Sequence, residues 1–238
     1  MSLIFKQLFE RESCTYTYLI ADSETKEAAI VDAVDIMIDR DTALLKELDL
    51  DLKFIIETHI HADHITSACP LKKYYPKARI VIGMENVDAE ACSDIMVSEG
   101  HILNIGQYQI TTIETPGHTV GCMSYLVENK LLTGDALFIR STGRCDFQGG
   151  SAESLYESIQ KLFKLPDTTE VYPAHDYNGL SVSTIGEEKK FNSMIRESFD
   201  QETFIENVNS LDLGLPKKIK VAVPANQSCG LISANASA

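Results

Sequence analysis

Three histidines and one aspartate fall within six consecutive residues, His59-Ile60-His61-Ala62-Asp63-His64, directly after an apolar run. Imidazole rings and a carboxylate packed this closely are difficult to explain by core stability, because buried polar groups need partners. A metal ion is a partner that all of these side chains can share. The run therefore predicts a metal-binding loop at the end of a buried strand, and the alternative is a solvated histidine-rich loop.

Further candidate ligands lie at the ends of other segments that predict strands. His118 occupies a Pro-Gly-His turn, Asp135 ends an apolar segment, and His175 follows a Tyr-Pro-Ala sequence. Each has an ordinary explanation when taken alone, as a structural histidine or a helix cap. Together with the histidine run they form a His/Asp set typical of first-row transition metals with open positions for substrate.

The order of the predicted elements is typical of a layered α/β protein. Strands are predicted at 3–8, 15–21, 28–32, 54–56, 109–114, 123–127, 130–133 and 170–173, and an extended segment at 221–224. The strand at 15–21 alternates polar and apolar residues, which predicts half-burial. Helical patterns lie between 36 and 48, after the predicted N-cap Ser151, and around Phe204. No linker rich in Gly, Ser or Pro interrupts the chain, so we expect a single domain over residues 1–238.

Charge and hydropathy exclude several classes of function. The formal net charge of −14 repels phosphate backbones and argues against a nucleic-acid partner. An anionic substrate would have to be held by a few well-placed cations. No apolar stretch approaches the roughly 20 residues needed to cross a bilayer, and the N-terminus lacks a signal-peptide pattern, so we expect a cytoplasmic protein. The six cysteines form no Cys-x-x-Cys pair, which predicts reduced and mostly buried thiols.

The order of these motifs resembles the metallo-β-lactamase superfamily. That resemblance implies an α/β fold, a four-layer αββα sandwich with the metal at one edge between the sheets. The segments 14–19, 138–140, 143–151, 175–179 and 222–226 are further similar to the persulfide dioxygenases. Two departures stand out: Cys145 replaces a usual Thr beside the presumed substrate loop, and residues 192–195, on a predicted surface helix, replace Asn-Pro-Arg-Leu.

The resemblance to persulfide dioxygenases implies a mononuclear site. One Fe(II) per chain would be held by His59, His118 and Asp135, the arrangement of two histidines and one carboxylate that leaves open positions. Glutathione persulfide would bind iron through its terminal sulfur beside O2, and the products would be sulfite and glutathione. A role in sulfide detoxification and a homodimeric assembly are compatible with this resemblance.

The remaining polar residues of the motifs receive supporting roles. By the resemblance, His61, Asp63, His64 and His175 orient ligands and water by hydrogen bonds. A guanidinium can bind a glutathione carboxylate bidentately, which makes Arg144 the candidate cation, with a solvated loop arginine as the alternative. The hydroxyl of Tyr177 would add a hydrogen bond to the substrate, with core packing as the alternative.

Two other functions stay open at this point. A glyoxalase-II-type hydrolase would cleave S-acyl glutathione with two metal ions, and every residue needed for a second ion is present. Such hydrolases usually have a longer C-terminal helical region to hold glutathione. The second alternative is a non-catalytic metal-binding or sulfur-carrier module that uses the free cysteines.

Overall fold

A computed structural model describes residues 2–231, and they fall into two compact units. The first unit comprises the described residues of Met1–Val97, Leu103–Gln109 and Leu215–Ala238. The second comprises Ser98–Ile102 and Ile110–Gly214. The expectation of a single domain over residues 1–238 stays a prediction.

The first unit contains a six-stranded mixed sheet in the order β1-β2-β3-β4-β5-β6. The strands are β1 Leu3–Glu10, β2 Thr15–Asp22, β3 Glu27–Val31, β4 Asp51–Ile56, β5 Arg79–Gly83 and β6 Ile95–Val97. The first three strands pair antiparallel and the last four pair parallel. The helices α1 Ile38–Glu47 and α2 Ala68–Tyr74 connect parallel strands, and a core containing Leu45 and Leu71 packs with Ile30 and Ile55. Parallel strands end at the same edge, so residues that follow β3, β4 and β5 come together.

The second sheet has the order β12-β11-β10-β9-β8-β7. Its strands are β7 Ile102–Ile105, β8 Tyr108–Glu114, β9 Met123–Val127, β10 Lys130–Gly134, β11 Glu170–Pro173 and β12 Ser183–Thr184. The helices of the second unit are α3 Ala152–Leu162, α4 Ile185–Phe191 and α5 Gln201–Asn209, and α6 Ile219–Asn226 belongs to the first unit. The predicted cap is confirmed, because the Ser151 side chain accepts a hydrogen bond from the Ser154 amide at 3.2 Å. Leu155, Ile159 and Phe204 lie in the apolar core of this unit.

Most predicted strands and helices are confirmed, but the prediction of half-burial for β2 is wrong. All eight residues of β2 are buried. The polar side chains tolerate burial because they have partners: the Thr17 hydroxyl donates to the Asp32 carbonyl at 2.9 Å, and the Tyr18 hydroxyl accepts from Gln7 at 3.1 Å. The alternation of polar and apolar residues along β2 therefore separates a more polar face from an apolar face, and both faces are buried.

Two segments differ from their predicted backbone. Residues 221–224, predicted as extended, lie inside α6, where Ala222 and Ala225 pack against Ile65. This packing outweighs the preference of valine for strands and of proline for helix ends. The predicted surface helix at 192–195 is also wrong, because Asn192 ends α4 and is fully buried, as is Ile195.

The cysteine prediction is wrong for one pair. Cys92 and Cys229 form a disulfide across 137 residues of sequence, with their Cα atoms 5.9 Å apart. Cys14, Cys69, Cys122 and Cys145 are free thiols. The two bonded cysteines stand far apart in the sequence, and only the return of the C-terminal segment to the first unit brings them together.

Candidate metal centre

The first group of candidate ligands lies on the segment after β4, residues 57–66, which we call the histidine loop. The His59, His61 and His64 rings are 2%, 0% and 1% exposed. Their centroids lie 4.1 Å apart for His59 and His61, and 4.2 Å apart for His61 and His64. His61, Asp63 and His64 each offer a ligand atom, and these atoms lie within 4.8 Å of one another. The predicted loop is therefore a buried cluster of candidate ligands at the end of a strand, and a solvated loop is excluded.

A chain of hydrogen bonds fixes the tautomer of His59. The Thr58 hydroxyl donates to Asp32 Oδ2 at 3.0 Å, and the same hydroxyl oxygen lies 2.9 Å from His59 Nδ1. Because the hydroxyl proton is already given to Asp32, His59 Nδ1 carries the proton and donates it to Thr58. The ring therefore keeps the lone pair of its Nε2 atom, which is the form that binds metals.

Asp32 and Glu57 are parts of the site that the sequence interpretation missed. Asp32 ends β3 in a left-handed conformation with φ of 51°, and its Oδ1 accepts the Thr58 amide at 2.8 Å. Its Oδ1 also lies 3.1 Å from His61 Nε2, and Glu57 Oε2 lies 3.5 Å from the same nitrogen. An acid at the end of an apolar strand is the signal that identified Asp135, and it was present at Asp32 as well.

The environment of His61 favours a positive charge. Burial alone would lower the pKa of His61, but the charge and hydrogen bond of Asp32, together with Glu57, raise that pKa well above its usual range. Within residues 2–231, His61 Nδ1 and His64 Nε2 are buried and have no hydrogen-bond partner. Buried nitrogens of this kind are costly, and a cation removes the cost. The donor set of the loop therefore fits a metal ion.

The second group of candidate ligands is assembled from three strand ends of the second unit. Asp135 follows β10, and its two carboxylate oxygens lie 3.5 Å from His118 Nε2 and 3.5 Å from His175 Nε2. All three side chains are buried. Asp135 Oδ1 has no hydrogen-bond partner in the described part of the chain, although it is buried. The structure thus brings His118, Asp135 and His175 together, as the motifs predicted, and their oxygen and nitrogen donors suit a transition metal.

Backbone geometry sets the orientation of His118. Its Nδ1 lies 2.7 Å from the carbonyl oxygen of Arg144, and since a carbonyl can only accept, Nδ1 carries the proton. The Gly143 amide donates to the Asp135 carbonyl at 3.1 Å, and a Cβ at Gly143 would lie 2.1 Å from that oxygen. Gly143 therefore lets the segment that follows pass close to Asp135 and places the Arg144 carbonyl against the ring.

The Arg144 guanidinium is already engaged within the second unit. It binds both carboxylate oxygens of Asp146 at 2.5 Å and donates to the carbonyls of Leu213 and Gly214 at 3.0 and 2.7 Å. Its side chain is 13% exposed. The predicted alternative of a solvated loop arginine is therefore excluded, and bidentate binding of a substrate carboxylate would require at least one of these partners to be displaced.

Tyr177 lies on an exposed loop beside His175. Its side chain is 66% exposed, which excludes the alternative of core packing. The rings of His175 and Tyr177 stack with centroids 5.7 Å apart, and Phe138 meets both rings edge-on. Asp176 Oδ1 accepts the amides of residues 178, 179 and 180, which shapes the loop that presents the tyrosine.

The chain belongs to the metallo-β-lactamase superfamily, whose sequence profile matches residues 15–96 and 97–175. Within the superfamily the similarity is to persulfide dioxygenases. Persulfide dioxygenase ETHE1 of Mus musculus, a mitochondrial protein, is 42% identical over 232 residues, 96% of this chain and 89% of that protein. The crystal structure of ETHE1 from Myxococcus xanthus has a TM-score of 0.91 and 44% identity, covering 96% of this chain and 100% of that one. Glyoxylase B2 of Dictyostelium discoideum is 34% identical over 259 residues, 93% of this chain and 89% of that protein.

These comparisons confirm two of the predictions. The chain has the metallo-β-lactamase fold, with two mixed sheets flanked by helices, and it resembles persulfide dioxygenases over nearly its whole length. The fold was predicted from the motif order, and the resemblance to persulfide dioxygenases was predicted from the further segments 14–19, 138–140, 143–151, 175–179 and 222–226. The roles assigned to individual site residues stay proposals.

Proposed function

We propose that the chain is a persulfide dioxygenase that converts glutathione persulfide, O2 and water to glutathione and sulfite. The supporting observation is sequence identity over 96% of the chain, 42% to the persulfide dioxygenase ETHE1 of Mus musculus and 44% to the ETHE1 structure from Myxococcus xanthus. The buried His/Asp groups of both units supply donors suited to a redox-active metal. The persulfide loses its sulfane sulfur, which gains two oxygens from O2 and one from water, and the thiol is released with one hydrogen.

We assign one Fe(II) per chain to His59, His118 and Asp135. Two imidazoles and one carboxylate leave open positions for substrate and O2. When bound, iron would pass electrons from the sulfane sulfur of the substrate to O2, which redox-inert zinc cannot do. The chain prepares both imidazoles for this role, because Thr58 and the Arg144 carbonyl each hold an Nδ1 proton and leave Nε2 as the donor atom.

We assign orienting roles to His61, Asp63, His64 and His175. His61 contacts Asp32, and His64 Nδ1 lies 3.0 Å from Asp63 and 3.4 Å from the Thr15 hydroxyl. These contacts restrict the rotation of the rings, as expected for groups that hold ligands and water in place. His175 Nε2 lies 3.5 Å from Asp135 Oδ1, and His118 contacts the other oxygen of that carboxylate. His175 therefore restricts the rotation of the Asp135 carboxylate.

We propose Arg144 and Tyr177 as substrate-binding residues, and the structure supports Tyr177 better than Arg144. Tyr177 is exposed beside His175, so its hydroxyl is accessible to a ligand. Arg144 lines a cavity of about 430 Å³ together with the acids Asp146 and Glu153, a surrounding that disfavours a second carboxylate. If Arg144 binds the substrate, Arg144→Ala raises KM for glutathione persulfide and leaves the metal content unchanged.

The decisive experiment compares two substrates on one preparation. Protein purified without oxygen is analysed for metal and then placed in an oxygen electrode with glutathione persulfide or S-lactoylglutathione. We expect one iron per chain, oxygen uptake with the persulfide and no hydrolysis of the thioester. Two zinc ions per chain with thioester hydrolysis would instead establish the glyoxalase-II-type alternative, which the comparisons support less because its named relative is 34% identical.

Three of the four free cysteines disfavour the sulfur-carrier alternative. A carrier needs an accessible thiolate. Burial raises the pKa of the Cys145 thiol to about 12, and burial also raises the pKa of Cys69. Cys122 is buried against Thr119. Oxygen uptake that depends on a persulfide would exclude this alternative.

Location and assembly are also proposals. We propose that the protein is cytoplasmic and that it forms a homodimer. None of the helices within residues 2–231 is both long and apolar enough to cross a bilayer. The Cys92–Cys229 disulfide is a feature more common in oxidising compartments, so cell fractionation tests the location. Light scattering coupled to gel filtration tests the dimer.

A further inference from the structure

The C-terminal helix α6 ends with a buried side chain that contacts the histidine loop. Asn226 is 3% exposed. Its side-chain nitrogen donates to the carbonyls of His61 and His64, both at 2.8 Å, and its side-chain oxygen accepts the Thr66 amide at 2.9 Å. Both donors and the acceptor of the amide are therefore committed to one short stretch of backbone.

That stretch has no regular secondary structure of its own. Residues 57–65 are irregular, so their buried backbone groups depend on partners from other segments, as when the Glu57 amide donates to the Val81 carbonyl of β5 at 3.0 Å. Asn226 supplies three such partners within residues 61–66. Because His61, Asp63 and His64 are borne by this stretch, its backbone conformation decides where their donor atoms lie.

The segment that presents Asn226 is itself fixed to the same region. Ala222 and Ala225 pack against Ile65, and the Cys69 amide donates to the Cys229 carbonyl at 2.9 Å. A Cβ at Gly230 would lie 2.0 Å from the Thr66 carbonyl oxygen, so the backbones are in close contact. The disulfide from Cys229 to Cys92 ties the segment to the β5–β6 connection. Asn226 is thus held rigidly enough to impose a geometry on the loop.

We propose that Asn226 is a positioning residue of the metal centre, which acts through the backbone of the histidine loop. It holds the loop at the spacing that retains the metal ion and sets the rate of the chemical step, and it does not touch the substrate. The effect on turnover rests on the proposed function. The effect on metal retention holds for either reaction considered above.

The test measures metal release and kinetics on the full-length protein. Fe(II)-loaded wild type, Asn226→Ala and Asn226→Asp are mixed without oxygen with an excess of a coloured Fe(II) chelator, and a parallel series uses Zn(II). We expect Asn226→Ala to release metal at least tenfold faster and to lose about tenfold in kcat, with KM within twofold. Asn226→Asp keeps the acceptor for Thr66 but places a carboxylate oxygen against the carbonyls of His61 and His64, so we expect it to release metal at least as fast as Asn226→Ala.

Asn207→Ala is the matched control, because its side chain also donates to a backbone carbonyl, that of Met194 at 3.1 Å, in the second unit. We expect its release rate to equal that of wild type. A structural role alone would lower the melting temperature of Asn226→Ala without changing release well below that temperature. Release rates within twofold of wild type for both folded Asn226 variants would overturn the proposal. If Asn226→Ala does not fold, Asn226→Asp decides.

The two proposals fail in different ways. Wild type that binds metal and takes up no oxygen with glutathione persulfide would refute the dioxygenase function. The metal-release comparison would still decide the role of Asn226. Conversely, unchanged metal release with normal oxygen uptake would refute the positioning role and leave the function intact.

Discussion

The histidine loop of the first unit and the group of His118, Asp135 and His175 in the second unit orient metal-binding side chains by different means. In the loop, all donors come from one run of six residues, and a distant side chain holds the backbone. In the second unit, each donor follows a different strand, and close backbone packing holds the rings. The first arrangement depends on side-chain hydrogen bonds and the second on glycine geometry.

This difference indicates where each of the two groups of candidate ligands is sensitive to change. The loop has a second layer of buried carboxylates, Asp32 and Glu57, so its polar contacts are numerous and interdependent. In the second unit we expect added volume at Gly143 to be more harmful than a change in side-chain polarity, because a Cβ there would lie 2.1 Å from the Asp135 carbonyl oxygen. Four predictions, from the largest effect to the smallest, test this contrast.

The largest effect is expected from removal of a ligand in the second unit. His118→Ala and Asp135→Ala each lose the metal and reduce kcat/KM to below about 10⁻⁴ of wild type, equivalent to more than about 5 kcal/mol. Metal analysis and oxygen uptake measure both effects. His101→Ala, at an exposed histidine outside the centre, serves as the control and keeps full metal content. Normal metal content in either ligand variant would refute the assignment.

The next effect concerns the disulfide, which lies within the first unit. Closing a loop of 137 residues restricts the unfolded chain by about 5 kcal/mol in the loop-entropy model. We expect Cys92→Ser to lower the unfolding free energy by about 2–5 kcal/mol. Cys14→Ser, at a free thiol, is the control for the substitution itself. In Cys92→Ser, the rate of amide hydrogen exchange should increase first in the first unit. An equal increase in the exchange rate of β10, in the second unit, would argue against a local effect.

A smaller loss is expected from added volume beside Asp135. Gly143→Ala places a Cβ about 2.1 Å from the Asp135 carbonyl oxygen, so backbone must shift. We expect the unfolding free energy, measured with denaturant, to fall by about 1–3 kcal/mol. We also expect the hydrogen bond from His118 to the Arg144 carbonyl to weaken. At Gly214 a Cβ meets nothing within 4 Å, so Gly214→Ala should change stability by less than about 0.5 kcal/mol. Equal effects of the two substitutions would show that the close approach is relieved without cost.

The smallest effect separates two buried acids outside the centre. Glu188 in the second unit accepts hydrogen bonds from Arg140, Ser183 and Asn192, whereas Asp41 in α1 has Arg40 as its partner and burial raises its pKa. A raised carboxyl pKa in the folded state destabilises the folded protein above that pKa, and this penalty disappears as pH falls through it.

We therefore expect Asp41→Asn to stabilise the protein by up to about 1 kcal/mol at pH 7 and by nothing near pH 3. Melting temperatures across this pH range measure the difference. Glu188→Gln serves as the opposite case. We expect it to destabilise the folded protein at pH 7, because it disturbs the hydrogen bonds that the Glu188 carboxylate accepts from Arg140, Ser183 and Asn192. A loss of stability in Asp41→Asn at pH 7 would mean that the Arg40 contact outweighs burial.

The sequence predicted those parts of the site whose residues are contiguous or follow a strand. The run His59 to His64 was conspicuous because its donors are adjacent, and Asp135 because it ends an apolar segment. Asn226 could not be identified by this reasoning, since its importance comes from three backbone contacts made across at least 160 residues. The same holds for the disulfide. The engagement of the Arg144 guanidinium also depends on tertiary geometry, because two of its four hydrogen bonds go to the backbone carbonyls of Leu213 and Gly214.

The position of Asn226 in the chain has a consequence for biosynthesis. Thr66 is made 160 residues before the side chain that binds its amide. At the usual elongation rates of about 5–20 residues per second, the nascent loop waits roughly 10–30 s for Asn226 to be added. During that interval the translated sheet can form while its metal ligands lack their final alignment. With Asn226 in its proposed positioning role, an ion captured on the ribosome would be held by a looser site than the finished protein offers, so we expect tight metal binding only after translation.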